Sequence, residues 1–376
     1  MWEDARLGDV APFKYGKSMT ADKRINGEYF VYSSAGICGL SDDTLANKGI
    51  IIGRKGTAGS LFYSKRPFFC IDTAFYVDEV SENNDLNFMY YYMQILNLSS
   101  YNNDAAVPGL NRNLAHRLKI KLPNYQSQLK ISDILSSYDD LIDNNNQRIE
   151  ILEKAAENIY KEWFIRMRYP THKNTQYIEG IPKGWKVKRL NEFGRVETGK
   201  TPPTANQENY DGDIMFIKTP DMHGQPYVVE TGEYLTEIGH DTQPKKLLPA
   251  NSISVSCIGT GGIVAINSEP AHTNQQINSI ILDDQNYLEW LYFTAKALKP
   301  TIEMFGATGA TMTNLSKGKF EKLKVICPNK ELIYDFNQIA SPMLEEIKEL
   351  QKQNSNLVKQ RDLLLPRLMS GKLEAK

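Results

Sequence analysis

A string of the phosphate-binding type stands near the middle of the chain. Residues 194–201 read GRVETGKT and match the pattern GxxxxGK[ST] of nucleotide-binding loops. In such a loop a helix begins at the Lys-Thr pair, because the amides of its first turn hold the phosphates. Pro202 and Pro203 follow at once and block that helix. We expect a turn here, and a nucleotide hydrolase that uses Lys200 and Thr201 is the alternative.

The sequence contains no residue pattern typical of other kinds of catalytic site. The five histidines are dispersed without metal-ligand spacing, and the four cysteines contain no CxxC pair. No Ser/His/Asp or Cys/His grouping stands out. Pro220-Asp221 could open a metal-dependent nuclease motif, but the next carboxylate, Glu230, is followed by Thr231 and Gly232 and lacks the lysine that this motif has one residue on. We therefore expect a chain without an active site that binds neither metal nor cofactor.

Polar and basic side chains in corresponding loop regions of the two halves suit contacts with DNA. Arginine pairs well with guanine and asparagine or glutamine with adenine, whereas lysine, threonine and backbone amides suit phosphates. For any one such residue, a solvated surface position without function is the alternative. The candidate DNA-contacting residues are Arg54, Lys55, Asn111, Arg112, Asn113 and Arg117 in the first half, and Lys218, Asn274, Gln275, Gln276, Thr313, Asn314, Lys317 and Lys319 in the second.

The two halves repeat the same patterns in the same order. WEDARLGDV near the start and WKVKRLNEF at residues 185–193 are each followed by Gly-Lys-Ser or Gly-Lys-Thr. Residues 49–59 and 251–262 are short β-type runs that end in glycine-rich turns. Residues 117–123 and 322–328 are basic strands that end in proline. The shared order indicates duplication of one mixed α/β unit that leads into a helix.

Residues 126–165 predict the first of two long helices. Apolar residues recur at steps of three and four, no Gly or Pro interrupts the run, and Asn145 is the polar exception. Such a heptad stripe needs a partner helix. At about 1.5 Å per residue the helix would form a rod of roughly 55–60 Å.

The partner helix is predicted from residues 341–365 of the same chain. Its stripe is interrupted by Asn354, much as Asn145 interrupts the first. Ser341 and Pro342 read as the helix start and Pro366 as its stop. The fold class is therefore predicted as α+β, with two similar mixed α/β domains joined by two long antiparallel helices around an internal pseudo-two-fold axis.

Composition sets the class of the protein. A chain of 376 residues has room for two domains, and 41% hydrophobic residues exclude wholesale disorder. The start lacks an apolar signal region and no apolar run reaches ~18 residues, so we expect a cytoplasmic protein. The net charge of −1 is low for a free-standing nucleic-acid binder, although local patches can still bind. A coiled-coil scaffold that binds only proteins is a further alternative.

Four strings resemble the specificity subunit of type I restriction-modification enzymes. They are GIPKGWK at 180–186, GKTPP at 199–203, IYKEWF at 159–164 and LLLPRLMSG at 363–371. The resemblance covers essentially the whole chain. It implies two target-recognition domains that each read one half of a bipartite site in double-stranded DNA, with the helices setting the gap. It also implies that the subunit has no active site of its own.

The same resemblance implies partners and boundaries. The subunit would recruit two methyltransferase subunits, which methylate adenine with S-adenosylmethionine, and then restriction subunits that use ATP and Mg. Trp163 and Phe164 are predicted to dock the methyltransferase, with packing at a domain junction as the alternative. The implied segments are recognition domains at 1–124 and 185–328, spacer helices at 125–168 and 329–376, and a linker at 169–184.

Overall fold

The computed structural model describes residues 2–101, 109–306 and 313–375. The chain divides into two compact units. Unit 1 comprises Met1–Leu141 and Leu357–Lys376, and unit 2 comprises Ile142–Asn356. Each unit combines sheets with helices, which confirms the predicted α+β class.

Unit 1 is built on two antiparallel-rich sheets and one short strand pair. The strands are β1 (Glu3–Arg6), β2 (Lys14–Tyr15), β3 (Tyr29–Ser33), β4 (Gly36–Ser41), β5 (Gly49–Gly53), β6 (Leu61–Ser64), β7 (Phe68–Cys70), β8 (Ala74–Val77) and β9 (Lys119–Leu122). The helices are α1 (Leu7–Val10), α2 (Leu86–Gln94), α3 (Arg112–His116) and the start of α4 (Tyr125–Tyr160). One sheet has the order β2-β8-β5-β6, the other has the order β4-β3-β7, and β1 pairs with β9. The run GIIIG of β5 is buried along its whole length because it lies between two neighbouring strands and the core.

Unit 2 repeats this plan with additional strands. Its strands, with those of the preceding linker, are β10 (Tyr177–Ile178), β11 (Ile181–Pro182), β12 (Lys186–Arg189), β13 (Gly194–Thr198), β14 (Tyr210–Ile217), β15 (Tyr227–Val228), β16 (Tyr234–Leu235), β17 (Ile253–Ser256), β18 (Ile258–Gly259), β19 (Val264–Asn267), β20 (Ala271–Thr273), β21 (Ile277–Leu282), β22 (Thr313–Asn314) and β23 (Lys324–Cys327). Its helices are α5 (Glu237–Asp241), α6 (Leu288–Ala297), α7 (Lys299–Gly306), α8 (Lys317–Phe320) and most of α9 (Lys330–Met369). The sheets have the orders β13-β21-β17-β19-β15 and β16-β14-β20, and β12 pairs with β23.

The duplication predicted from the sequence is visible strand by strand. β1 pairs antiparallel with β9, and β12 pairs antiparallel with β23 in the matching place. β5 lies between β8 and β6, as β17 lies between β21 and β19. β3 runs parallel to β7 and antiparallel to β4, as β14 does with β20 and β16. The two units therefore share the topology of these strands, to which unit 2 adds others.

The first long helix lies where the heptad stripe predicts it. α4 begins at Tyr125 and continues as a π-helical turn over Lys161–Ile165. In unit 2, the Asn145 side chain donates to Asn354 Oδ1 and to Gln353 Oε1, both at 2.9 Å. In unit 1, Arg361 of α9 pairs with Asp139 of α4 at 2.5 Å. In unit 2, Arg148 of α4 also pairs with Glu346 of α9, so a later residue of one helix meets an earlier residue of the other and the helices pair antiparallel.

The second long helix begins earlier and ends later than predicted. α9 begins at Lys330, where the Asn329 side chain accepts from the amide of Leu332 at 3.2 Å. Ser341 is no cap, since its hydroxyl donates to the Glu289 carboxylate at 2.7 Å. The helix also passes through Pro366 and ends at Met369. Burial of the apolar face that precedes and follows each proline outweighs a cost of about 3 kcal/mol for an interior proline. None of the helices in the described part of the chain is long and apolar enough to cross a membrane.

A buried histidine pair gives unit 2 a predicted sensitivity to acid. His272 on β20 is fully buried, and its Nε2 lies 3.0 Å from His240 Nδ1. Burial and then His240 lower the pKa of His272 to about 4. The unfolded chain protonates this histidine at pH ~6.5, so stability falls as the pH drops from there toward the folded pKa. At pH 5 we expect a loss of roughly 2 kcal/mol relative to pH 7.5, measured by denaturant unfolding.

The matched variant for this prediction is His272→Phe. The corresponding position in the parallel strand pair of unit 1 is Phe69, so an aromatic ring fits this place in the repeated plan. The variant should flatten the decline of stability between pH 6.5 and 5. An equally steep decline in wild type and variant would mean that other groups cause it.

Candidate nucleic-acid interface

A cationic cleft lies at one edge of unit 1, where the ends of β2, β5 and β8 meet the segment before α3. Backbone hydrogen bonds assemble it. The amides of Arg54 and Lys55 both donate to the Thr73 carbonyl, at 2.9 and 3.0 Å, and Leu110 donates to the Arg54 carbonyl at 2.8 Å. The cleft has a volume of about 300 Å³. Its lining residues are Tyr15, Arg54, Lys55, Phe75, Gly109, Leu110, Asn111, Arg112 and Asn113.

Two arginines in this cleft stack on one tyrosine. The guanidinium carbon of Arg54 lies 4.9 Å from the centre of the Tyr15 ring, and that of Arg112 lies 4.7 Å from it. Arg54 also lies 5.7 Å from the centre of the Phe75 ring, and its Nη1 donates to the Asp72 carbonyl at 3.1 Å. In the described part of the chain neither arginine forms an ion pair. Both guanidiniums therefore lie against an aromatic ring and keep donors for a ligand.

The remaining candidates in unit 1 have different environments. Lys55 and Asn113 are exposed at the cleft, whereas Arg117 is exposed beyond the end of α3 and does not line the cleft. The Asn111 side chain accepts from the amide of Leu114 at 3.1 Å, so it caps α3. Its amide nitrogen remains the group that can reach a ligand.

His116, from the same segment, supports the loop instead of facing a ligand. Its Nε2 accepts from the Phe13 amide at 2.9 Å, and its ring packs edge-on against Phe13. Burial, followed by the charge of Arg112, lowers the pKa of His116. The ring is therefore held neutral, in the form that accepts this hydrogen bond. Residues 102–108 of the predicted binding segment lie outside the described residues.

Unit 2 brings amide side chains to the corresponding edge. Thr201 Oγ1 donates to Gln275 Oε1 at 2.6 Å, and Thr219 Oγ1 donates to Gln276 Oε1 at 3.4 Å. Asn274 is only 9% exposed and binds Gln276 through both its side-chain atoms. Asn274 thus shapes the turn, and the two glutamines are presented by it.

The other candidates of unit 2 surround this turn. Lys218 forms an ion pair with Glu233 and lies over the Phe216 ring. Asn314 is exposed on β22, which pairs with β18. Lys317 and Lys319 are exposed on α8. The backbone of Thr313 lies on β22, and residues 307–312 of the predicted binding segment lie outside the described residues.

Shared backbone hydrogen bonds define which positions of the two units are equivalent. The Cys257 amide donates to the Gln276 carbonyl as the Arg54 amide donates to that of Thr73. The Leu315 amide donates to the Cys257 carbonyl as the Leu110 amide donates to the Arg54 carbonyl. Lys317 and Arg112 each lie two residues beyond these leucines, so they occupy equivalent positions. In place of the Arg54 guanidinium, unit 2 carries a buried thiol, and burial raises the pKa of Cys257 to about 11. The backbone is kept while the side chains change.

The phosphate-loop string forms no phosphate site. Its first five residues form β13, and no helix begins at Lys200. The amide of Gly199 donates to the Ile277 carbonyl at 3.1 Å and that of Lys200 to the Thr273 carbonyl at 2.9 Å. In unit 1 the amides of Gly16 and Lys17 bind carbonyls in the same way. The string is a strand-end turn, and the nucleotide-hydrolase alternative gains no support.

The possible nuclease motif is also accounted for by local structure. Asp221 accepts from the amides of Lys218 at 2.7 Å and Gly232 at 3.0 Å, so its carboxylate closes a turn. Within the described ranges no group of three or more His, Cys, Asp or Glu side chains could hold a metal ion.

The two predicted docking aromatics differ in exposure. Phe164 is 7% exposed, and its ring lies within about 6 Å of Tyr160, Trp185 and Phe336. Phe164 therefore packs against these rings, as the alternative interpretation of this residue predicted. Trp163 is half-buried against Phe164 and Phe336 and keeps an exposed part.

The sequence analysis did not identify the aromatic residues that line the cleft. Tyr15 and Phe75 carry no motif, and only the pairing of β2 with β8 places them side by side. The available signal was the position of Tyr15 directly before the repeated Gly-Lys pair.

Comparison with known proteins identifies related chains. Residues 1–154 and 182–360 match the family described as "Type I restriction modification DNA specificity domain". The type I restriction enzyme HindI specificity subunit of Haemophilus influenzae is 33% identical over 317 residues, which cover 68% of this chain and 69% of that protein. The MjaIX specificity subunit of Methanocaldococcus jannaschii is 28% identical over 76% of this chain and 68% of that protein. The crystal structure of the type I restriction-modification S subunit from M. genitalium has the same fold, with a TM-score of 0.63 at 17% identity over 98% of this chain and 96% of that one.

Proposed function

The chain belongs to the family of type I restriction modification DNA specificity domains, and from that premise we propose that each unit reads one half of a bipartite site in double-stranded DNA. Its function is that of a non-catalytic specificity subunit in a type I restriction-modification system. In the proposed layout, residues 1–124 and 185–328 are the recognition domains and the paired helices at 125–168 and 329–376 set the gap between half-sites.

The observation that carries this proposal is the equivalence of the two loop edges. The same backbone hydrogen bonds hold Arg54 in unit 1 and Cys257 in unit 2, while the exposed side chains around them differ. In a scaffold that binds only proteins, there is no reason for two units to keep the same backbone hydrogen bonds and differ in the exposed polar side chains around them. Two units that read different base sequences need different side chains at the base edges, whereas their contacts with phosphates carry no sequence information and can be alike.

The proposed DNA contacts follow from the geometry of each edge. In unit 1 the guanidiniums of Arg54 and Arg112 face bases, and the exposed Lys55, Asn113 and Arg117 lie where backbone contacts would fall. In unit 2 we assign Gln275, Gln276 and Asn314 to bases. The assigned phosphate contacts of unit 2 are Lys218, Lys317 and Lys319, with Thr313 beside them. Asn111 and Asn274 act mainly by shaping the turns that present these groups.

The chain also assembles with other subunits of a restriction-modification complex. We propose that these are two methyltransferase subunits and restriction subunits, and that Trp163 supplies part of the methyltransferase contact through its exposed face. We further propose that S-adenosylmethionine, ATP and Mg are bound by those partners and none of them by this chain.

The test is the methylome of cells that carry the cognate methyltransferase with and without this gene. We expect a bipartite motif with a methylated adenine on each strand, lost completely when the gene is deleted. Methylation that persists unchanged in the deletion, with the methyltransferase active, would contradict the proposal.

A further inference from the structure

We propose that the cleft of unit 1 selects a guanine through Arg54 and Arg112, and that unit 2 makes no such selection at the equivalent place. The inference deepens the proposed function and rests on it. It predicts a fixed guanine in the half-site that unit 1 reads and none set by the equivalent place of unit 2.

The arginines are arranged as a base reader requires. A guanidinium presents two parallel donors, which match O6 and N7 of guanine in the major groove. Contact with the Tyr15 ring, whose centre lies 4.9 and 4.7 Å from the two guanidinium carbons, restricts both side chains before any ligand arrives. The hydrogen bond from Arg54 to the Asp72 carbonyl fixes the direction of its remaining donors. A preformed fork loses less freedom on binding than a free side chain.

The surroundings favour a base over a phosphate. Both guanidiniums are half-buried in a concave cleft, whereas Lys55 is exposed beside them as a phosphate contact would be. Asp72, whose backbone carbonyl accepts from Arg54 Nη1, has an exposed carboxylate, and this negative charge disfavours a phosphate at this part of the surface. A carboxylate is instead the acceptor that suits the amino group of cytosine, the partner of guanine.

Unit 2 lacks each of these groups at the matched positions. Cys257 stands in the place of Arg54, Lys317 in that of Arg112, and Gln275 in that of Asp72. Thr198 replaces Tyr15, since both directly precede the Gly-Lys pair. With neither a guanidinium nor a stacking ring at these matched positions, unit 2 presents glutamine amides there, which suit adenine.

The experiment measures the methylated motif made by the full complex with Arg54→Gln or Arg112→Gln, with Lys55→Gln as matched control. Each variant removes one positive charge from the same cleft. We expect either arginine variant to lose the preference for guanine at one position of one half-site by roughly 10- to 100-fold. The other half-site should stay unchanged, which shows that the complex is folded. Lys55→Gln should lower methylation at all sites alike without changing the motif.

Three results would overturn the inference. The first is an unchanged motif with uniformly lower methylation in the arginine variants, which would mean phosphate contacts. The second is a wild-type motif in which neither half-site contains a fixed guanine. If the glutamine variants fail to fold, Arg54→Lys serves instead, because it keeps the charge without the planar fork. The third overturning result is full retention of the guanine preference in Arg54→Lys. Failure of the proposed function looks different, because wild type would then give no methylation that depends on the gene.

Discussion

Replacing Gly199 by alanine should disrupt the recognition edge of unit 2 and abolish the methylation that depends on this chain. A Cβ at this position would lie 2.2 Å from the carbonyl oxygens of both Thr273 and Asn274. These oxygens belong to the backbone of the turn that presents Gln275 and Gln276, so the strand end must move. We expect a loss of about 3 kcal/mol in the free energy of unfolding, the upper range for overpacking.

The same change in unit 1 should have the same effect. A Cβ on Gly16 would lie 2.1 Å from the Ile71 carbonyl oxygen and 2.7 Å from that of Cys70. Gly16→Ala would therefore displace Tyr15, the ring on which both arginines stack. The two glycines are equivalent in the repeat, and each is required by a close backbone approach.

Gly318→Ala is the control for both glycine variants. Nothing lies within 4 Å of a Cβ at this position of α8, and alanine favours a helix more than glycine does. Thermal unfolding and the methylome should match wild type within error. Wild-type stability and methylation in Gly199→Ala would show that the turn adapts without cost and that its geometry does not set recognition.

The sequence was sufficient to predict the helices and the repeat, because both arise from local periodicity. The seven-residue stripe predicted α4 to within a residue at its start, and the structure shows that Asn145 and Asn354, which interrupt the two stripes, contact each other. The ends of α9 were wrong for the opposite reason. Ser341 and Pro342 have the local signature of a helix start, but burial of the face around them decides the outcome.

The candidate site could be predicted only in part. Arg54 and Arg112 were chosen by chemical type, and strand pairing then brought them to one ring, Tyr15, that no motif marks. Asn111 and Asn274 were chosen for the same chemical reason, yet local backbone amides occupy their oxygen atoms. Whether an amide side chain binds its own loop or a base depends on tertiary geometry, which residue type does not encode.

Adjacent aromatics show the same limit. Trp163 and Phe164 are neighbours in the π-helical turn that follows α4, and their residue types predict either packing or docking. The turn directs Phe164 into the core against Trp290 and Phe336, with ring centres 6.4 and 5.2 Å away. It leaves Trp163 partly exposed. Separating the two roles by mutation is therefore possible.

Phe164→Ala should destabilise unit 2 by about 3–5 kcal/mol, the usual cost of removing a buried aromatic side chain. In a unit of this size that corresponds to a fall of roughly 10 °C in the unfolding temperature. Loss of DNA-directed methylation would follow from unfolding, so binding of the methyltransferase should be measured below the transition, where folded protein remains. There Phe164→Ala should bind its partner like wild type.

Trp163→Ala should show the reverse pattern. A half-buried ring contributes less to the core, so we expect a loss of roughly 1–2 kcal/mol in stability. Removal of its exposed face should weaken binding of the methyltransferase subunits by about tenfold or more, since large aromatics carry much of the energy of an interface. Titration calorimetry with the purified methyltransferase measures this directly. Wild-type affinity in Trp163→Ala would assign both aromatics to the core and place the docking surface elsewhere on the chain.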